Sequence, residues 1–226
     1  MRTKLVAALC FTLCTLGAQA AGSFDSDAEG WSSFGNGAVG PVWESSGGNP
    51  GGYISQLDSD NSWGYLAAPA SYLAPIASGG QMSFSLRHDY NVGTLNYGVR
   101  VALVGGGLTL ISEQAVPTTG WKNYVFTLDA AGGWRIHGDT QQPYNAANSA
   151  PTVAQFDAVL GSLTRVLVAA DYTDYNTLTS ASHVDRTQLD NFQLSAPVPE
   201  PTTWALMAMG LLLTVPVMRR AGLRQR

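Results

Sequence analysis

Hydrophobic and polar residues alternate over several stretches of the chain. Met82, Phe84 and Leu86 alternate with Ser83, Ser85 and Arg87. Tyr97, Val99, Val101 and Leu103 alternate with Gly98, Arg100 and Ala102, and Tyr124, Phe126 and Leu128 repeat the pattern. A period of two marks strands with one buried face. Gly105-Gly106-Gly107, between Val104 and Leu108, predicts a hairpin turn. It is not a phosphate loop, because it joins two strands and neither a helix nor Lys-Ser/Thr follows. Only one segment has helical spacing. Thr152-Val153-Ala154-Gln155 has the form of a capping box, Val153, Phe156 and Leu160 fall on one face, and Gly161 ends the run. Arg165 to Ala170 then predicts a buried strand. Many short strands and one helix predict an all-β sandwich with a single capping helix.

Two apolar runs, one at each end, lack the alternation. Arg2 and Lys4 precede the apolar stretch Leu5 to Gly17, and Ala18-Gln19-Ala20 has the A-x-A form. This predicts a signal peptide over residues 1–20, removed by signal peptidase after Ala20. Near the other end, Thr203 to Met218 is a run of sixteen residues. At about 1.5 Å per residue it spans roughly 24 Å, short of a hydrocarbon core of about 30 Å. The arginines that follow, Arg219, Arg220, Arg224 and Arg226, have side chains long enough to snorkel and make up the difference. By the positive-inside rule they hold the tail in the cytoplasm and orient the preceding domain outward. Trp204 stands at the interfacial start of the span. Just before it, Pro199 and Pro201 flank Glu200 and keep that segment extended and open to a protease.

Composition narrows the function. The chain has 226 residues, enough for one domain plus these processing segments, and only 12% are charged. Its formal charge of -4 is unevenly spread. Between Ala21 and Val198 there are six Lys/Arg against fifteen Asp/Glu, a net charge near -9. Such a domain repels nucleic acid and suits cations. The two cysteines, Cys10 and Cys14, both lie in the N-terminal apolar run. The mature domain therefore has no disulfide, thiolate metal site or Cys nucleophile.

Two resemblances add to this reading. Val198-Pro199-Glu200-Pro201-Thr202, an apolar span and a terminal Arg-Arg resemble the PEP-CTERM sorting signal over the last 29 residues. The resemblance implies a Gram-negative source, recognition at Pro199, Glu200 and Pro201, and cleavage by a membrane-bound exosortase. The membrane anchor would then be transient, with residues 196–226 as the sorting signal. Residues 63–194 resemble the laminin B domain, also called laminin domain IV. The matching stretches are "YLAAPASYLAPIASGGQMSFSL", "VALVGGGLTLI", "WKNYVFTLDAAGGWR", "FDAVLGSLTRVLVAADYT" and "LDNFQL". That family implies a jelly-roll β-sandwich over residues 21–195, similar in architecture to carbohydrate-binding modules, with structural or adhesive roles. The absence of cysteine departs from the disulfide-bonded arrays of laminin, so network assembly of that kind is not implied.

Candidate chemistry is sparse. Asp190 shares parity with Phe192 and Leu194 on the last strand and is expected to point inward. A buried carboxylate needs a partner. It either joins Asp25 and Asp27 around a structural Ca²⁺ ion, which takes six to eight oxygens, or accepts backbone N–H bonds in a turn. His88, His137 and His183 lack zinc-site spacing and are expected at loops or strand ends. No G-x-S-x-G elbow supports Ser-His-Asp catalysis, and no carboxylate pair has a glycosidase setting. Trp121 and Trp134 fall where the laminin B pattern has aromatics and are expected in the core. The polar segment Gly138 to Ala150, with Tyr144, is either a binding loop or a solvated connection. The expected function is a secreted, non-enzymatic structural or adhesive protein of an exopolysaccharide matrix. A glycan-specific carbohydrate-binding module and a polysaccharide hydrolase or lyase are the alternatives.

Overall fold

The computed structural model describes residues 20–35, 40–58, 63–174 and 183–197. The described residues hold twelve strands and one α-helix, besides a 3₁₀ turn at Ala70–Tyr72: β1 (Ala20–Gly22), β2 (Ser32–Phe34), β3 (Val42–Glu44), β4 (Tyr53–Leu57), β5 (Tyr65–Ala67), β6 (Gly80–Tyr90), β7 (Arg100–Gly105), β8 (Leu108–Glu113), β9 (Lys122–Leu128), β10 (Arg135–His137), α1 (Val153–Leu160), β11 (Leu163–Ala169) and β12 (Asp185–Ser195). They form a β-sandwich of two six-stranded sheets. The first runs β3-β4-β12-β6-β9, with β1 also paired to β12, and the second runs β10-β8-β7-β11-β5-β2. Every registered pair is antiparallel.

The alternating stretches become strands as their period requires. Met82, Phe84 and Leu86 on β6 lie opposite Phe126, Tyr124 and Lys122 on β9. Tyr97 is the exception, since it precedes β7 and only Val99 to Leu103 are fully buried. Gly106 and Gly107 both take positive φ, 54° and 75°, and close the predicted β7–β8 hairpin in two residues. That geometry matches the twist of the strands and is open to glycine. The core is strongly aromatic. Phe84 stacks at 6.1 Å on Phe192, Trp31 meets Phe192 edge-on at 4.8 Å, and Trp134 lies between Phe126 and Phe156. Such pairs add about 0.5–1.5 kcal/mol each beyond the area they bury.

The capping box is present. Thr152 accepts from the Gln155 N–H at 3.2 Å, and the Gln155 side chain accepts from the Thr152 N–H at 2.9 Å. The buried face is Phe156, Val159 and Leu160, whereas Val153 is 66% exposed. Positions 156 and 160 carry the stripe with 159, and Val153, in the first turn, falls outside it. No helix among the described residues is long and apolar enough to cross a membrane. The predicted signal peptide lies outside the described residues except for Ala20, where β1 begins, and the sorting motif, span and Arg tail lie outside them entirely.

Candidate functional site

Strand parity gives the first sheet an inner and an outer face. On β6 and β9 the outer set includes Ser83, Ser85, Asn123 and Val125. β12 changes phase midway. Leu189 lies opposite Leu86, the register shifts between Asp190 and Gln193, and Leu194 then lies opposite Met82. Asn191, with φ 52°, sits in this bulge. Asp190 therefore pairs with Ser85 on the outer face and does not share the inward side of Phe192 and Leu194. The sequence expectation was in error because one extra residue inverts the phase of everything before it.

Asp190 is nevertheless fully buried, beneath the segment that joins β3 to β4. Its Oδ2 accepts from the Asn49 N–H at 2.5 Å and its Oδ1 from the Asn191 N–H at 2.6 Å. The turn closes through the Gly48 N–H, which donates to the Gly51 carbonyl at 2.9 Å. A Cβ at Gly48 would lie 2.3 Å from the Gly52 carbonyl oxygen and 2.8 Å from Asp190 Oδ2, so glycine is what lets the turn settle on the carboxylate. Burial pushes the Asp190 carboxyl above the usual range, the two N–H bonds pull it back, and the charges of Asp25 and Glu29 push it further up.

The three carboxylates proposed as calcium ligands are only partly brought together. Asp25 reaches the same turn, its Oδ1 lying 2.6 Å from where a Gly51 Cβ would be. Asp27 turns to its own loop and accepts from the Glu29 N–H at 2.6 Å. Among the described residues, no group of three or more His, Cys, Asp or Glu is placed to hold a metal ion. Asp190 Oδ2 and the carbonyl oxygens of Gly51 and Gly52 all crowd Gly48, and the Gly51 carbonyl already accepts from the Gly48 N–H.

Beside this turn the outer face forms an open depression of about 280 Å³, lined by Asn49, Ser83, Ser85, Asn123, Asn191 and Gln193 with Phe84 and Val125. A relay crosses it. The Asn49 amide donates to Ser85 Oγ at 3.2 Å, and the Ser85 hydroxyl donates to Asn123 Oδ1 at 2.7 Å. The relay fixes both amides, directing the Asn123 NH₂ and the Asn49 carbonyl oxygen away from it. Next to the depression, Trp121 meets Tyr53 edge-on at 5.6 Å and donates its indole N–H to the Gly47 carbonyl at 2.9 Å. Trp121 is therefore a half-buried residue of the outer face, not of the core, because it shares the outward parity of Asn123 and Val125. Trp134 is fully buried, as expected. Further along the face, Arg87 binds Asp89 through two N–H donors at 2.9 and 2.7 Å, and Gln188 donates to Asp89 at 2.6 Å.

His137 ends β10 and His183 lies half-buried in the segment before β12, at a strand end and in a loop as expected, whereas His88 lies inside β6. His88 is fully buried, with Nε2 3.1 Å from Asp185 Oδ1 and Nδ1 3.0 Å from Thr187 Oγ1. The grouping resembles a hydroxyl-His-Asp triad, but the Thr187 hydroxyl is itself fully buried and donates to the Ala170 carbonyl at 2.9 Å. His137 is also buried and stacks on Tyr144. Burial, and after it the Arg100 charge, push its imidazole below the usual range.

Segment 138–150 crosses the outer face of the second sheet. The Tyr65 hydroxyl donates to the Thr140 carbonyl at 2.5 Å, and Arg100, ion-paired to Glu113 at 3.0 Å, lies 3.9 Å over the Trp63 ring. This sheet is covered by its own chain, while the first sheet keeps an open polar area. The open area was missed from sequence because Asn49, Ser83, Ser85 and Asn123 belong to three different elements. Its only trace was the outward parity of Ser83, Ser85 and Asn123.

No protein-family model and no curated protein matches the chain. Several solved structures are similar to it. The family 11 carbohydrate-binding module of a cellulosomal cellulase of Clostridium thermocellum is 13% identical, with 81% of this chain and 98% of that one covered and a TM-score of 0.49. The CBM22-1 xylan-binding domain from Paenibacillus barcinonensis is 13% identical, with 80% and 95% covered and a TM-score of 0.48. The L4b domain of human laminin alpha-2 is 12% identical, with 64% and 79% covered and a TM-score of 0.47. Similarity at this level identifies no ligand for this chain.

Proposed function

We propose that this chain is a secreted, non-enzymatic jelly-roll β-sandwich protein with a structural or adhesive role at the cell surface, and that it holds a glycan on the outer face of its first sheet. The observation that carries the reading is the open depression lined by amides and hydroxyls beside Trp121 and Tyr53. Sugar hydroxyls both donate and accept hydrogen bonds, and Asn, Gln and Ser answer in both senses. Aromatic rings supply apolar surface for the C–H faces of a sugar ring. The lining includes no carboxylate or imidazole. An open, shallow site gives weak contact per unit, and repeated units on a polymer multiply it by avidity. An exopolysaccharide is the partner that fits this economy.

Export belongs to the same proposal and is supported by sequence features alone. Signal peptidase would act after Ala20. Pro199, Glu200 and Pro201 would be read by an exosortase while the 203–218 span and Arg219 and Arg220 hold the chain briefly in the inner membrane of a Gram-negative cell. A structural Ca²⁺ ion would draw on Asp190 and Asp25, the two candidate carboxylates that reach the 48–51 turn. It would offset the push of the Asp25 and Glu29 charges on the Asp190 carboxylate, and Asp27 would have no part in it. The purified full chain on a glycan array tests the functional reading. Saturable binding to at least one polysaccharide is expected, and an array without it removes the glycan reading.

A further inference from the structure

The site's hydrogen-bond polarity and its charge go beyond glycan binding as such. Resting on the glycan-binding reading, we propose that the depression selects a neutral polyol chain and excludes uronate-bearing or otherwise acidic polysaccharides.

The Asn49-Ser85-Asn123 relay runs in one direction. Asn49 gives its amide hydrogen to Ser85, and Ser85 gives its hydroxyl hydrogen to Asn123. Among the groups the relay leaves to a ligand are a donor at Asn123 Nδ2 and an acceptor at Asn49 Oδ1, both on exposed residues. Two hydroxyls of a sugar satisfy this pair, one accepting and one donating. A carboxylate placed against Asn49 Oδ1 only accepts, so it sets lone pair against lone pair where a hydroxyl would donate. The electrostatics act in the same sense. The buried Asp190 carboxylate lies under the Asn49 turn, with Asp25 beside that turn. The Arg87 guanidinium, on the same face, is already committed to Asp89 through two hydrogen bonds. No cationic side chain lines the depression. An anionic sugar would meet negative charge and no compensating donor with a positive charge.

The test is titration of the purified full chain with neutral probes (mixed-linkage β-glucan, galactomannan, dextran) and acidic probes (alginate, polygalacturonate, hyaluronan) at about 0.05 and about 0.5 M NaCl. Binding of a neutral probe is expected to be tenfold or more tighter than that of any acidic one and insensitive to salt. The variants Asn123→Ala and Asn123→Asp are expected to weaken neutral binding about tenfold or more, and Asn123→Asp, which still accepts from the Ser85 hydroxyl, to do so with unchanged melting. Acidic probes that bind as tightly as neutral ones would overturn the selectivity and leave the glycan reading standing. Neutral binding that Asn123→Ala leaves intact would overturn the role of the relay. Failure of every probe would overturn the glycan reading itself.

Discussion

Replacing Asp190 with alanine tests the turn on which the site depends. The carboxylate accepts two backbone N–H groups, from Asn49 at 2.5 Å and Asn191 at 2.6 Å. Leaving a buried donor without a partner costs about 1–3 kcal/mol, and these two part-buried N–H groups fall toward the lower end of that range. Removing a desolvated charge that Asp25 and Glu29 already disfavour offsets part of this. A net loss of about 2–4 kcal/mol is expected. For a domain of this size, 1 kcal/mol moves Tm by about 2–4 °C, so Tm should fall by about 4–16 °C. Asp190→Asn keeps one carbonyl acceptor, and its smaller deficit should depend on pH. Because the native carboxyl titrates above its unfolded value of 3.8, its contribution is full below pH 3.8 and is lost as pH rises through the native pKa. The deficit of Asp190→Asn should therefore be largest in acid and shrink as pH rises. Urea unfolding at a series of pH values in EDTA measures both effects. An Asp190→Ala protein as stable as the parent, or an Asp190→Asn deficit that grows with pH, would refute this reasoning.

Three further outcomes are expected. Calorimetry should show Tm rising with Ca²⁺ by mass action and Asp190→Asn abolishing the rise, and a parent Tm unchanged between EDTA and millimolar Ca²⁺ would remove the cation from the account. His137 is held below its ordinary value by burial and by Arg100. Its contribution is present above about pH 6.5 and lost as pH falls, so urea titrations from pH 7.5 to 5 should show the parent losing more stability than His137→Phe. Intact-mass spectrometry of the extracellular protein should give a chain starting at Ala21 and ending near Pro199 to Pro201, and a mass that still includes Arg226 would exclude sorting with cleavage.

Much of the fold was legible because its signals are local. Alternation at 82–86 and 124–128, the Gly-Gly turn at 106–107 and the Thr152/Gln155 capping box each act within a few residues, and all are present. The burial of Asp190 was legible too, but its face was not. A bulge at Asn191 depends on how β1 and β4 share one edge of β12, which no window of sequence records. The same limit hid His88, whose partners Asp185 and Thr187 are 97 and 99 positions away. The family pattern puts Trp121 in the core, whereas its own parity, shared with Asn123, puts it outside. The depression needed Asn49, Ser85 and Asn123 to meet in space, and only the pairing of β6 with β9 and the fold of the β3–β4 segment bring that about.

The most direct test of the central claim is to titrate the isotopically labelled full chain with the best-binding polysaccharide and follow side-chain N–H resonances. The Trp121 indole, the Asn123 amide and the Gln193 amide should shift together and saturate, while the Trp63 indole stays in place. Shifts confined to Trp63 and the 138–150 segment, with Trp121 and Asn123 unmoved, would place the binding face on the second sheet and contradict the account.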